Sequence, residues 1–272
     1  MPTASAMVSV DDRGFLFADA CYEVTLVVHG RCIALDRHLA RLQGGLDELR
    51  IEFDATALRP VHDELIQRNH LDGEPTASVY VQVTRGVAPR SHSFPVGAVP
   101  TVLMRAQAIP SLAGAASNGA RAITVEDIRW GRVDVKTTGL LPNVLAQQAA
   151  IDAGADDVIL HRGGLVTEGS HTNVFAVFGH TLVTAPTDHR ILAGVTRGVV
   201  LELARRDGVP VEERVWTVDE LASAEEVLMT STTAGVRPIV AVDGRVVGDG
   251  MRGPVTAQLQ ASYAAFLKSD GD

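Results

Sequence analysis

Short apolar runs that turn back on themselves do most to constrain this chain. YEVTLVVHGRCIAL (22–35) is two such runs about a His-Gly pair, which signals a β-hairpin. DDVILHRGGLVTEG and NVFAVFGHTLVTAP repeat the pattern, and EEVLMTSTTAGVRPIVAVDGRVV supplies a strand, a Ser/Thr-rich loop and another hairpin. ASVYVQVTRG (77–86) alternates like a half-buried strand, and VPTVLMRAQAI (99–109) is one more.

Helical stretches alternate with these strands. DRHLARLQGGLDELRI (36–51) spaces Leu39, Leu42, Leu46 and Leu49 along one face, with Asp36 as the expected N-cap. ATALRPVHDELIQRNHL (55–71) is a second helix with a proline near its start, NVLAQQAAIDAG (143–154) is closed by Gly154, and GVTRGVVLELARRDG (194–208) ends at Gly208. PVTAQLQASYAAFLK near the C-terminus is amphipathic. PSLAGAASNG (110–119) is small and polar, and reads as a linker. The expectation is an α/β chain of two lobes, a smaller one over 1–111 and a larger one over 112–272 that carries Lys136.

Composition excludes some partners. Apolar residues make up 46% of the 272, enough for a packed globule, and the net charge of −9 argues against non-specific binding to nucleic acid or anionic lipid. No apolar run approaches the ~18 residues needed to span a bilayer. MPTASAMVSVDD lacks the basic start and apolar stretch of a secretory signal. Cys21 and Cys32 have no metal-ligand spacing, so a reduced, cytoplasmic setting is expected. The histidines show no H-E-x-x-H pattern and no metal site is expected; neither G-x-S-x-G, a P-loop nor G-x-G-x-x-G occurs.

Lysine is rare here. Of 24 basic residues only Lys136 and Lys268 are lysine. Arginine replaces lysine wherever only charge is needed, but not where chemistry requires an amine that can lose its proton. Lys136, in RVDVKTTG, is therefore a candidate for amine chemistry, with a salt-bridging survivor as the ordinary alternative. The alternation of Val133 and Val135 with Asp134 and Lys136 suggests a strand end that presents the amine, a geometry suited to a Schiff base.

Other stretches are weaker one by one. Glu168 in LVTEGSHTNVF suits a partner for a protonated heteroaromatic nitrogen, although a solvated turn residue is commoner. ILAGVTRG offers a helix start with Val195 and Thr196, and TSTTAG offers hydroxyls that include Thr232. Both could cradle phosphate, and both are more often caps or turns. VTRGVAPRSHSFP carries Arg85, Arg90 and His92, which could clamp a carboxylate or form a solvated basic loop.

In order, DRGFLFADACYEV, HLARL, VTRGVAPRSHSFP, VEDIRWGRVDVK, VTEGSHTNVF, ILAGVTRGVV and TSTTAGVRPI resemble the fold-type IV pyridoxal phosphate enzymes, the branched-chain-aminotransferase-like family, and within it the members that transaminate D-amino acids. The resemblance covers nearly the whole chain. It implies a small N-terminal α/β lobe and a larger C-terminal lobe with pyridoxal 5'-phosphate between them. Lys136 would hold the cofactor as a Schiff base, and Glu168 would keep its ring nitrogen protonated. Arg41, Val195, Thr196 and Thr232 fall where the family binds the phosphate. Tyr22, Arg90 and His92 match its trap for the substrate carboxylate, with Arg90 and His92 supplied by the neighbouring subunit of a homodimer. Only eleven residues precede Asp12, so the first edge of the small lobe is expected to be shortened; His171 stands where the family carries a small hydroxyl residue.

The implied reaction is a ping-pong exchange between a D-amino acid and a 2-oxo acid. Lys136 serves as general base and then acid, Glu168 and Tyr22 assist, and the carboxylate trap sets the hand. Alternatives within the family are a branched-chain L-aminotransferase, an (R)-amine transaminase and an aminodeoxychorismate lyase; the Arg90/His92 pair favours the D-amino-acid reading. A catalytically silent cofactor-binding protein is the alternative of another class, and the retained Lys136 and Glu168 count against it.

Overall fold

A computed structural model describes residues 3–110 and 119–269. The chain divides into two units: one takes the chain up to Pro110 together with Val135–Leu140, the other the remainder. Most of the linker read at 110–119, and with it the expected boundary at 111/112, lies outside the described residues.

The first unit is built on the His-Gly hairpin. His29 (φ 46°) and Gly30 (φ 77°) both sit in the left-handed region, the turn that matches strand twist, and join β1 (Ala20–Val28) to β2 (Arg31–Cys32). With β3 (Thr76–Thr84) and β4 (Thr101–Ala108) they form an antiparallel sheet ordered β2-β1-β3-β4. The helix Leu35–Glu48 lays Leu39, Leu42 and Leu46 into the same core as Val79, Val81 and Val83. Each such leucine contributes roughly 1.5–3 kcal/mol of burial.

Asp36 does not cap that helix. Ala34, in the left-handed region, is the N-cap, its methyl side chain can make no capping hydrogen bond, and the helix begins two residues earlier than a cap at Asp36 would start it. Asp36 then lies in the first turn, where its charge suits the helix dipole, and pairs with Arg59. The next helical stretch opens as a 3-10 turn, Ala55–Leu58, capped by Asp54, before the helix Arg59–Arg68.

The segment around Lys136 is a turn and not a strand. Val133 and Val135 are buried as their alternation suggests, yet only Thr137 forms a bridge, to Cys21. β2 pairs with β1 only at Val27 and Val28, which leaves the edge of β1 near Tyr22 open. The Lys136 segment takes that edge: Tyr22 N–H donates to the Lys136 carbonyl (3.0 Å) and Thr138 N–H to the Ala20 carbonyl (3.2 Å). Val135 packs in the first unit's core, so Lys136 belongs to this unit and not to the second, where the division by sequence placed it.

The second unit holds β5 (Ala120–Glu126), the helix Leu141–Asp152, β6 (Asp157–Arg162), β7 (Leu165–Val166), β8 (Asn173–Phe178), β9 (Thr181–Thr184), the helix Val195–Arg206, β10 (Val211–Glu213), the short helix Val218–Leu221, β11 (Glu226–Ser231), β12 (Gly235–Val242), β13 (Arg245–Val246) and the helix Pro254–Lys268. Among the described residues the sheet runs β10-β9-β8-β11-β12-β5-β6-β7, with β13 on β12. It is mixed: β9/β10, β12/β5 and β5/β6 are parallel. Both faces are covered. Val174 and Ala176 of β8 pack with Trp216 and Met229, while Phe175 and Val177 pack with Val199, Leu203 and Leu259.

Candidate active site

In the first unit, Lys136 Nζ lies 4.2 Å from the ring centroid of Tyr22. Tyr22 sits one residue from Glu23 on β1 and so faces the other side of the sheet. Glu23 is buried, and Arg41 grips it with two hydrogen bonds, Nε to Oε1 (2.7 Å) and Nη2 to Oε2 (2.8 Å). His38, one helical turn before Arg41, donates Nδ1–H to Glu23 Oε2 (2.8 Å). Burial alone would raise the Glu23 carboxyl; the Arg41 charge and the hydrogen bonds from Arg41 and His38 outweigh it and hold the group down at about 2. Burial pushes the His38 pKa down, against the hydrogen bond and charge of Glu23, which raise it.

The Arg-Ser-His loop also belongs to this unit. Arg13 Nη1 donates to the carbonyls of Ser91 (2.6 Å) and Ser93 (3.4 Å), and Phe17 lies against both Arg90 (5.1 Å) and the His92 ring (5.5 Å). Arg90 and His92 are exposed. Arg85 is not part of any clamp: it is buried, makes paired hydrogen bonds to Asp19 (2.7 and 2.9 Å) and donates to the carbonyls of Leu49 and Arg50.

In the second unit, Glu168 is buried in a set of donors. Oε1 accepts from Arg129 Nη1 (2.5 Å); Oε2 accepts from Asn173 Nδ2 (3.0 Å) and the Leu192 N–H (3.0 Å). Asn173 is held in turn by the Leu192 carbonyl (2.9 Å) and packs tightly on Gly194, where a Cβ would collide with its Oδ1. Arg129 binds Asp127 through Nε–Oδ1 and Nη2–Oδ2, both 2.9 Å. Burial works against the Arg129 charge, but the hydrogen bonds to Asp127 and the charges of Glu168 and Asp127 push its pKa up.

Gly194 is also the N-cap of the helix Val195–Arg206 and supplies no side-chain cap, so the first-turn N–H groups at Val195 and Thr196 keep their capacity for an anion. Thr196 is buried and hydrogen-bonds Tyr263, whose hydroxyl burial pushes up to about 12. Thr230 of β11 pairs in register with Asn173, and its Oγ1 is buried without a hydrogen-bond partner among the described residues; Thr232 follows in the loop after β11.

The structure thus joins Tyr22 to Lys136, and Glu168 to the Gly194 helix start. Glu23, His38, Asp127, Arg129 and Asn173 escaped the sequence reading. His38 and Arg41 are three apart on one helix, and Asp127 and Arg129 two apart in one loop. The first spacing suits two side chains that share one neighbour and the second suits an ion pair, but the glutamate each cluster holds, Glu23 through His38 and Arg41 or Glu168 through Arg129, is distant in sequence.

The class IV amino-transferase family model matches residues 20–242, and the chain belongs to that family. It is an aminotransferase of the fold-type IV class. It is 39% identical over 267 residues to a D-alanine aminotransferase of Staphylococcus haemolyticus, covering 97% of this chain and 94% of the relative. It is 40% identical over 273 residues to a D-alanine aminotransferase of Bacillus licheniformis, covering 99% and 95%. A branched-chain amino acid aminotransferase from T.th., solved with pyridoxamine 5'-phosphate, superposes with a TM-score of 0.88 at 27% identity, covering 98% of this chain and 91% of that one.

Proposed function

We propose that this chain transaminates D-amino acids with 2-oxo acids, using pyridoxal 5'-phosphate in a ping-pong cycle. The observation that carries the reading is near full-length similarity to two D-alanine aminotransferases of different genera. The donor set fits the cofactor: a primary amine at Lys136, a buried carboxylate at Glu168, and a helix N-terminus without a side-chain cap at Gly194. When bound, pyridoxal phosphate supplies an electron sink that loosens the α-proton of the amino acid.

The residues of this chain do the rest. Lys136 would hold the cofactor through Nζ; once the substrate amine had displaced it, the freed Nζ would take the α-proton from the substrate Cα as general base and, as general acid, pass it on to the cofactor and not back to that carbon. Its backbone, tied to β1 on both sides, fixes where that amine starts from. Glu168 accepts the ring N–H and is kept from rotating by Asn173 and Leu192. The N–H groups at Val195 and Thr196, with Thr232 and Arg41, hold phosphate; Arg41 is oriented for this by Glu23. Tyr22, Arg90 and His92 take the substrate carboxylate. The exposure of Arg90 and His92, on a loop tied down by Arg13, supports their action on a partner's site in a homodimer.

Among the described residues no helix is long and apolar enough to cross a membrane. The acidic charge and the two free cysteines support work in the cytoplasm.

Borohydride reduction of the cofactor-loaded protein, followed by peptide mapping, should fix the cofactor on Lys136, and D-alanine but not L-alanine should change its visible absorbance. Label on Lys268, or equal response to both hands, would defeat the reading. Lys136→Ala should lose nearly all turnover without rescue by arginine at this position.

A further inference from the structure

Glu168 carries more positive charge than a pyridine partner needs for orientation. Asn173 and the Leu192 N–H already fix its Oε2. Arg129 adds a charged donor at Oε1, 2.5 Å away, with both side chains nearly dry at 7% and 6% exposure. Arg129 is itself held rigidly. Asp127 grips it with two bonds, its own backbone N–H donates to Asp127 Oδ1 (3.0 Å), and Arg162 Nη2 donates to its carbonyl (3.1 Å). Thr167 Oγ1 and the Arg162 guanidinium complete the surroundings of Asp127.

This arrangement has a chemical consequence for any base facing Glu168. A proton shared between a carboxylate and a ring nitrogen has two resting places. On the nitrogen it gives an ion pair; on the carboxylate it gives two neutral groups. A cation in direct contact with the carboxylate, and farther from the nitrogen, favours the ion pair. Low dielectric makes that preference strong, because few other groups screen it. Asp127 restrains the same effect, since it neutralises part of the Arg129 charge and keeps a lone buried cation from arising.

We propose that Arg129, fixed by Asp127, is a positioning residue that keeps the shared proton on the cofactor's ring nitrogen instead of on Glu168. The inference rests on the assignment of Glu168 to that nitrogen. Arg129 touches neither substrate nor reacting atoms; it acts through Glu168, and the Asp127–Arg129 pair sets how strongly the cofactor draws electrons.

Two measurements test this. In protein freed of cofactor, the ¹³C resonance of the Glu168 carboxyl carbon reports its titration directly. Arg129→Gln should raise that titration by about one to three pH units, the range a contacting opposite charge produces, and Arg129→Lys should restore most of the difference. In protein loaded with ¹⁵N-pyridoxal phosphate, the ring nitrogen should show a protonated shift in the parent chain and in Arg129→Lys, and an unprotonated one in Arg129→Gln. Should the single substitution fold poorly because Asp127 loses its main partner, Asp127→Asn with Arg129→Gln removes both charges and should move both readouts in the same direction by a smaller amount, because Arg129 is the member in contact with Glu168. A ring nitrogen that stays fully protonated in folded Arg129→Gln, or, where only the double variant folds, a Glu168 titration and ring-nitrogen shift identical to the parent's, overturns the proposal. Failure of the parent chain to fix cofactor on Lys136 would instead defeat the proposed function, and the cofactor-free titration would still decide whether Arg129 governs Glu168.

Discussion

The two units each contain a buried glutamate clamped by an arginine, and the clamps are built in opposite senses. Around Glu23 the carboxylate is sealed, at 2% exposure, while Arg41 keeps 15%. The arginine is the group left facing outward, and Glu23 with His38 aims it. Around Glu168 the two partners are buried alike, at 7% for Arg129 and 6% for the carboxylate; the proposed function assigns the carboxylate to ligand, and the arginine is backed by a second carboxylate, Asp127, whose side chain has no exposure. Under the proposed function the same ion pair would serve anion binding in one unit and cation binding in the other. The third member differs as well: His38 adds a hydrogen bond to Glu23, whereas Asp127 adds a second carboxylate that binds Arg129 and is itself approached by Arg162.

Exchanging each glutamate for glutamine should therefore produce opposite failures. Glu168→Gln should slow proton transfer roughly a hundred- to a thousandfold in single-turnover measurements, since a neutral amide does not stabilise a protonated ring. Some stability should be lost too, because an amide oxygen that accepts from Arg129 turns its NH2 toward the Asn173 amide and the Leu192 N–H, so the comparison is made on the rate of the folded variant. An unchanged rate would remove Glu168 from its assigned role and erase the contrast between the clamps.

Glu23→Gln should fail in the other way. It leaves Arg41 without its counter-charge and His38 with a weaker acceptor. Breaking one side of a buried pair costs about 3–5 kcal/mol, and the partial exposure of Arg41 argues for the lower end. Denaturant unfolding measures this, and affinity for inorganic phosphate should fall as Arg41 loses its aim. A variant as stable as the parent would mean that Glu23 is a passenger, with Arg41 ordered by something else.

These contrasts also mark how far the sequence could be read. Hairpins were legible because a His-Gly or Gly-Gly pair between apolar runs has few other uses, and the family motifs are continuous in the chain. Lys136 stood out because arginine cannot replace a reactive amine. The clamps were not legible. Glu23 alternates with its neighbours like any strand residue, and nothing in YEV says that Arg41 lies across it; Asp127 and Arg129 read as a polar loop. The clamping bonds join residues 15 to 39 positions apart through register and helix placement, which local pattern does not carry. The turn at Lys136 was misjudged for a related reason: the alternation at Val133 and Val135 is real, but it comes from packing on the open edge of β1 and not from a ladder of its own.

The smallest expected effect is the response of the first clamp to acid. Glu23 has an ordinary pKa of 4.5 and is held at about 2 in the folded chain, where burial is outweighed by Arg41 and His38. A depressed carboxyl contributes its stability fully above the unfolded value. That contribution declines as pH falls below about 4.5, because the unfolded chain takes up a proton that the folded one refuses, and it is gone once pH has fallen past the folded value near 2. Within that window one such group adds about 1.4 kcal/mol per pH unit to the slope of unfolding free energy. Other depressed carboxyls, Asp19 and Asp127 among them, add slopes of their own. The informative quantity is therefore the difference between the parent and Glu23→Gln in urea titrations at pH 4 and pH 3. The parent should lose about one proton's worth of stability more than the variant. Equal slopes would mean that Glu23 titrates alike in both states, and that the clamp on Arg41 is an ion pair without consequence for the fold.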